Sequence, residues 1–113
     1  VSSWVRHHFE HLRRWREYAG KVARSARDLA PGAEVYVIGG VAEGRATVLS
    51  DIDVLIVVRG LDSASRRRLS VEILDRAMAV CGLPWDAPVE LHVVDEAGFR
   101  EYLKRCRRAV RVG

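Results

Sequence analysis

The chain has 113 residues, 49% of them apolar, and carries 19 Lys plus Arg against 15 Asp plus Glu for a net charge of +4. That size suits one domain, residues 1–113, with a core that needs neither disulfides nor a structural metal, and it leaves no room for a multidomain enzyme. No uncharged apolar run of about 18 residues and no signal-peptide pattern occurs, so the expectation is a cytoplasmic protein without a membrane role.

From Ser3 to Ala30 the apolar positions Val5, Leu12, Trp15, Ala19, Val22, Ala26 and Leu29 recur at spacings of three, four or seven, which predicts one long amphipathic helix ended by Pro31-Gly32. His8 falls in the same stripe. Val35-Tyr36-Val37-Ile38 reads as a first strand stopped by Gly39-Gly40, and residues 41–50 as a loop or a single helical turn. A second strand covers Ile52 to Val58, the most apolar run of the chain. Asp62 or Ser63 then caps a helix with Leu69, Ile73, Leu74, Ala77, Met78 and Cys81 on its apolar side. Val89 to Val94 alternates as a third strand, with Glu90, His92 and Val94 on one face, and Asp95 caps a last helix with the stripe Phe99, Tyr102, Leu103, Cys106.

The fold class expected is α+β, two-layered, with a small mixed sheet and α-β-β-α-β-α order. A strand-helix-strand passage from 52 to 94 is a right-handed crossover between parallel neighbours. The first strand, joined to the second by a short connection, is antiparallel to it. This topology brings Gly39-Gly40, Asp51, Asp53 and Glu90 to one sheet edge.

Asp51 and Asp53, two residues apart, point to one face at the start of a buried strand. Two carboxylates so placed repel each other and cost desolvation energy unless a cation sits between them. With Glu90 they supply hard oxygen ligands for Mg²⁺, and two such ions would serve an attacking oxygen and a leaving pyrophosphate. The glycine turn lets backbone approach a triphosphate where a Cβ would obstruct it. The reaction class that uses all these parts is nucleotidyl transfer, with Glu90 helping to deprotonate the acceptor hydroxyl.

The segment VIGGVAEGRATVLSDIDVLIVV, Val37 to Val58, resembles the signature of the DNA polymerase beta-like nucleotidyltransferase superfamily. More narrowly, the short chain resembles the minimal nucleotidyltransferases: a glycine turn, ten residues, then Asp-x-Asp entering an apolar strand, with Gly44 and Ser50 where that family has a glycine and a serine. The resemblance implies an NTP substrate, ATP foremost, held near Gly39, Gly40, Arg45 and Ser50. It implies two Mg²⁺ ions on Asp51, Asp53 and Glu90. It further implies a helical HEPN-type partner protein as acceptor, in a toxin-antitoxin pair. Two residues depart from the family pattern. Gly40 stands for the usual serine and Glu90 for the usual Asp. The alternative function is a catalytically degenerate antitoxin or adaptor that binds a helical partner. Strand two is apolar on both faces, which leaves a face for an extra helix, an identical subunit or another partner to cover.

Other features weigh less. His7, His8 and His11 have the helical spacing of a zinc or copper site, but no carboxylate or thiol clearly completes it in sequence, so a partly packed histidine face is expected. His92 either touches the acidic site or fills its wall. Arg66-Arg67-Arg68 reads as a solvated first turn, nucleic acid is not the expected partner, and Trp4, Trp15 and Trp85 read as packing residues. Cys81 and Cys106 lack CxxC spacing and read as core thiols.

Overall fold

The computed structural model describes residues 2–113. Its elements are α1 (Ser3–Arg13), α2 (Trp15–Leu29), β1 (Glu34–Ile38), α3 (Gly39–Ala42), β2 (Ile52–Val57), α4 (Ser63–Ala79), β3 (Val89–Val94), α5 (Glu96–Arg105) and β4 (Val110–Val112). The sheet order is β3-β2-β1-β4. β2 and β3 are parallel, in the register Asp53 to Glu90, and β1 runs antiparallel to β2, with Ile38 opposite Asp53. The α+β class and the expected pairing of the three main strands are therefore what the chain adopts.

One face of the sheet makes the core. Val35, Val37, Ile52, Val54 and Ile56 pack there against Tyr18, Val22, Ala26, Ile73 and Ala77 of α2 and α4. The side chains of Tyr36, Leu55 and His92 alternate to the opposite face, where Phe99 of α5 stacks on Tyr36 and Tyr102 hydrogen-bonds His92. Leu55 is fully buried and Val57 nearly so. The second apolar face of β2 is thus closed within the chain by a helix, α5, one of the coverings the sequence left open beside an identical subunit or another partner.

Three expectations are corrected. The helix read as continuous over 3–30 breaks at Arg14, whose backbone (φ −91, ψ 19) ends α1 and starts α2. Neither Pro nor Gly marks the break, so periodicity alone reads through it. Across it, the buried His11 reaches the Tyr18 hydroxyl at 2.6 Å. β4 was not legible, because three residues are too few to show alternation; it is held by β1 on one side and by an Arg27 hydrogen bond to the Val112 carbonyl. Trp4 and Trp85 are exposed rather than packed.

Caps follow the sequence. Asp62 accepts from the Ser65 N–H and Asp95 from the Gly98 N–H, each satisfying a donor that the helix start leaves open. Among the described residues no helix is long and apolar enough to cross a membrane.

Candidate active site

Register builds the site. Asp53 is the second residue of β2, its parallel partner is Glu90, and its antiparallel partner Ile38 is the last residue of β1. The residue after Ile38 therefore lies beside Asp53. That residue is Gly39, at φ +79, and a Cβ built on it would stand 2.8 Å from Asp53 Oδ2. A glycine is required here twice over, for the left-handed backbone and for the space the carboxylate occupies.

Asp53, Glu90 and His92 each bring one ligand atom within 4.8 Å of the others. His92 Nε2 is 3.2 Å from Asp53 Oδ1, and its Nδ1 is 3.3 Å from the Tyr102 hydroxyl. The hydrogen bond to Asp53 raises the His92 pKa; burial opposes it, and the negative charge of Glu90 and Asp53 adds to it. Asp53 and His92 are partly shielded while Glu90 is exposed, so the cluster is walled on one side and open on the other.

Asp51 lies one residue before β2, solvent-exposed, and the trio Asp51, Asp53 and Glu90 does not gather three oxygens within 4.8 Å. No ladder partner pins its backbone, whereas Asp53 and Glu90 are fixed by pairing. His92 is the member of the cluster that sequence reasoning left undecided; its position two residues after Glu90 on an alternating strand was the available signal.

The glycine turn continues into α3. A Cβ on Gly40 would meet Ser50 Oγ at 3.5 Å, ordinary contact distance, and Ser50 Oγ itself accepts from the Thr47 N–H at 2.8 Å. Arg45 extends from this loop, 64% exposed, with Nε 3.0 Å from Oε1 of the buried Glu43 side chain. Gly39, Gly40, Ser50 and Arg45 thus frame one loop system beside Asp53.

Sequence reasoning missed the contribution of the segment after α5. The Arg107 N–H reaches Glu43 Oε2 at 3.3 Å. The Cys106 thiol is pushed up chiefly by burial, with the negative charge of Glu43 adding, while a hydrogen bond with the Gly39 backbone acts the other way. Cys106 is a free, half-buried thiol that stays protonated at the back of the glycine turn.

The donor set tests whether a divalent ion fits. Two carboxylates from paired strands offer the hard oxygens Mg²⁺ takes, with open space for water and phosphate on the Glu90 side. The His92 imidazole suits Mg²⁺ less and already has Asp53 and Tyr102 as partners. The residues fit the ion through their oxygens.

A mixed sheet with paired strand carboxylates next to a glycine turn is an arrangement that suits a divalent ion and the phosphates it carries. Residues 20–110 match the family model described as nucleotidyltransferase domain, and the chain belongs to that family. It is a nucleotidyltransferase. Among solved structures, a crystal structure of a candidate nucleotidyltransferase aligns with TM-score 0.58 and 26% identity, over 81% of this chain and 94% of that one. Another, a candidate nucleotidyltransferase from Sulfolobus solfataricus, aligns with TM-score 0.60 and 21% identity, over 98% of this chain and 87% of that one; it speaks to the fold alone. No curated protein matches the chain with significance.

Proposed function

We propose that the chain transfers a nucleotidyl group, adenylyl from ATP foremost, to a hydroxyl on a partner protein, in a Mg²⁺-dependent reaction. The observation that carries this reading is the in-register pair Asp53 and Glu90 directly beside the glycine turn. Asp53 and Glu90 would hold the metal; Asp51, exposed on the unpaired approach to β2, stands outside that cluster and would join them only by turning toward it. Bound Mg²⁺ supplies charge neutralisation for the triphosphate and the leaving pyrophosphate. His92, backed by Tyr102, fixes the Asp53 carboxylate through its hydrogen bond. Glu90, exposed at the open side, would accept the proton of an incoming hydroxyl. Gly39, which makes room for the Asp53 carboxylate, and Gly40, packed against Ser50 and the Arg45–Ala46 backbone, form the turn that would meet the phosphates.

A helical HEPN-type partner is the acceptor that the family resemblance suggests. The test is incubation with α-labelled ATP, CTP, GTP or UTP, Mg²⁺ and the product of the neighbouring gene. Label should pass to that protein, cease with EDTA, and fail in Asp53→Ala. A second reading rests on Gly40, where the family hydroxyl is missing: a degenerate antitoxin that only binds its partner. A tight complex with no transfer from any of the four nucleotides decides for that reading.

A further inference from the structure

A second group of ligand-type side chains lies away from the sheet cluster. His7 and His11, four residues apart on α1, face Asp86 in the connection between α4 and β3. His7 Nε2 is 2.9 Å from Asp86 Oδ2, His11 Nε2 is 3.3 Å from that same oxygen, and the two nitrogens are 3.1 Å apart. We propose that His7, His11 and Asp86 form a site for a divalent transition ion of the Zn²⁺ type, which staples α1 to the loop before β3.

The triangle has the right size. Ligands held tetrahedrally at about 2.0–2.1 Å from zinc are separated from one another by about 3.3 Å, and the three edges here run from 2.9 to 3.3 Å. Protons alone satisfy it poorly. If each imidazole donates its Nε2–H to Asp86, the two nitrogens, 3.1 Å apart, face each other with no hydrogen bond between them. A single cation in contact with all three atoms removes that conflict.

The surroundings favour ligation. His11 is buried, and its Nδ1 meets the Tyr18 hydroxyl at 2.6 Å. An Nδ1–H donated to that oxygen leaves the lone pair on Nε2, facing His7 and Asp86, the arrangement in which a metal-binding histidine is oriented by its far nitrogen. The His7 side chain is 61% exposed and that of Asp86 34%, so the open side admits a water as fourth ligand. Two imidazoles with one carboxylate are a borderline donor set that suits Zn²⁺, Co²⁺ or Ni²⁺ over Mg²⁺.

The site also falls outside the family pattern. α1 precedes residue 20, where the nucleotidyltransferase match begins, and only Asp86 lies within it. What the ion would secure is α1 itself, which also reaches the loop before β2 through His8 Nε2, 2.9 Å from the Ser50 carbonyl.

The experiment uses tag-free full-length protein stripped with chelator, in excess Mg²⁺ to fill the sheet cluster, titrated with Zn²⁺ by calorimetry and with Co²⁺ by visible absorption. Wild type should bind one Zn²⁺, give the intense absorption of four-coordinate Co²⁺, and melt several degrees higher when loaded. His7→Asn and Asp86→Asn, at exposed positions where the fold can be confirmed by circular dichroism, should each weaken binding at least tenfold. Asp53→Asn should leave it unchanged. Binding that survives both His7→Asn and Asp86→Asn, or that disappears with Asp53→Asn, overturns the assignment. So does a wild type that takes up neither ion, which would leave a cluster held by protons only.

Discussion

Among the described residues the molecule carries two histidine-carboxylate triads, and they are built in opposite ways. Asp53, Glu90 and His92 offer two carboxylates and one imidazole; His7, His11 and Asp86 offer two imidazoles and one carboxylate. The first stands on paired strands, where the ladder fixes two ligands side by side. The second depends on helical i, i+4 spacing plus one residue from a loop 75 positions away from His11. The oxygen-rich set, on the rigid sheet with Glu90 exposed, suits a reaction; the nitrogen-rich set, joining α1 to a distant loop, suits attachment. Donor ratio and backbone support together separate the two roles.

The sharpest way to break this comparison is Asp53→Ala. It removes the carboxylate that fills the space beside Gly39 and hydrogen-bonds His92, and several kcal/mol of charge stabilisation correspond to a loss of about a thousandfold in kcat. The thermal unfolding midpoint and Zn²⁺ affinity should stay near wild type. Transfer that persists at the wild-type rate would remove Asp53 from the reaction, and a parallel loss of Zn²⁺ would merge the two triads into one.

Tyr18→Phe probes the other triad from behind. It deletes the hydroxyl that orients His11 while leaving all three ligand atoms in place. Loss of such an orienting partner lowers metal affinity by about 10–100-fold, read as a weaker Zn²⁺ isotherm. Nucleotide transfer with saturating Mg²⁺ should be unaffected. An unchanged isotherm would mean that His11 needs no support from Tyr18 to bind.

How far each triad was legible in the sequence follows from the same difference in construction. The sheet and its acidic edge were readable because Val-Glu-Leu-His-Val and Asp-Ile-Asp-Val alternate, and a crossover from 52 to 94 admits one sensible pairing. Asp51 shows the limit: alternation gives a side, yet not a position for a residue ahead of the first ladder bond. The helix triad was half visible. His7 and His11 announce a face, but Asp86 is brought to them by a loop whose path no local pattern encodes. The break at Arg14 and the strand Val110–Val112 were hidden for a related cause, since tertiary contacts and not propensity decide both.

Gly39→Ala tests whether the glycine turn belongs to the sheet triad or merely adjoins it. The left-handed backbone alone costs an alanine about 1–2 kcal/mol, and the new Cβ must displace the Asp53 carboxylate, which it would otherwise approach to 2.8 Å. Urea denaturation should show that loss of stability, and kcat should fall about tenfold or more with the displaced carboxylate. Full stability and full activity together would show that neither the backbone nor the contact constrains this position.

The smallest effect expected is a gain. Gly40 has no side chain where the resemblance to the minimal nucleotidyltransferases implies a serine, but its backbone is not left-handed and a Cβ there meets only ordinary contacts, 3.5 Å from Ser50 Oγ and 3.6–3.7 Å from backbone of Arg45 and Ala46. Gly40→Ser should therefore fold without strain and add a hydroxyl at the mouth of the turn. One hydrogen bond to a charged phosphate, worth about 1.5 kcal/mol or somewhat more, corresponds to roughly a tenfold lower KM for the nucleotide. The neighbouring Ser50 hydroxyl already stands at that margin and shares the task, so a gain of about threefold is the more natural expectation. Zn²⁺ affinity should not move. A KM that rises would mean that the turn accepts phosphate only when it is bare, and Gly40 would then be an adaptation of this chain to its own nucleotide and not a lost serine.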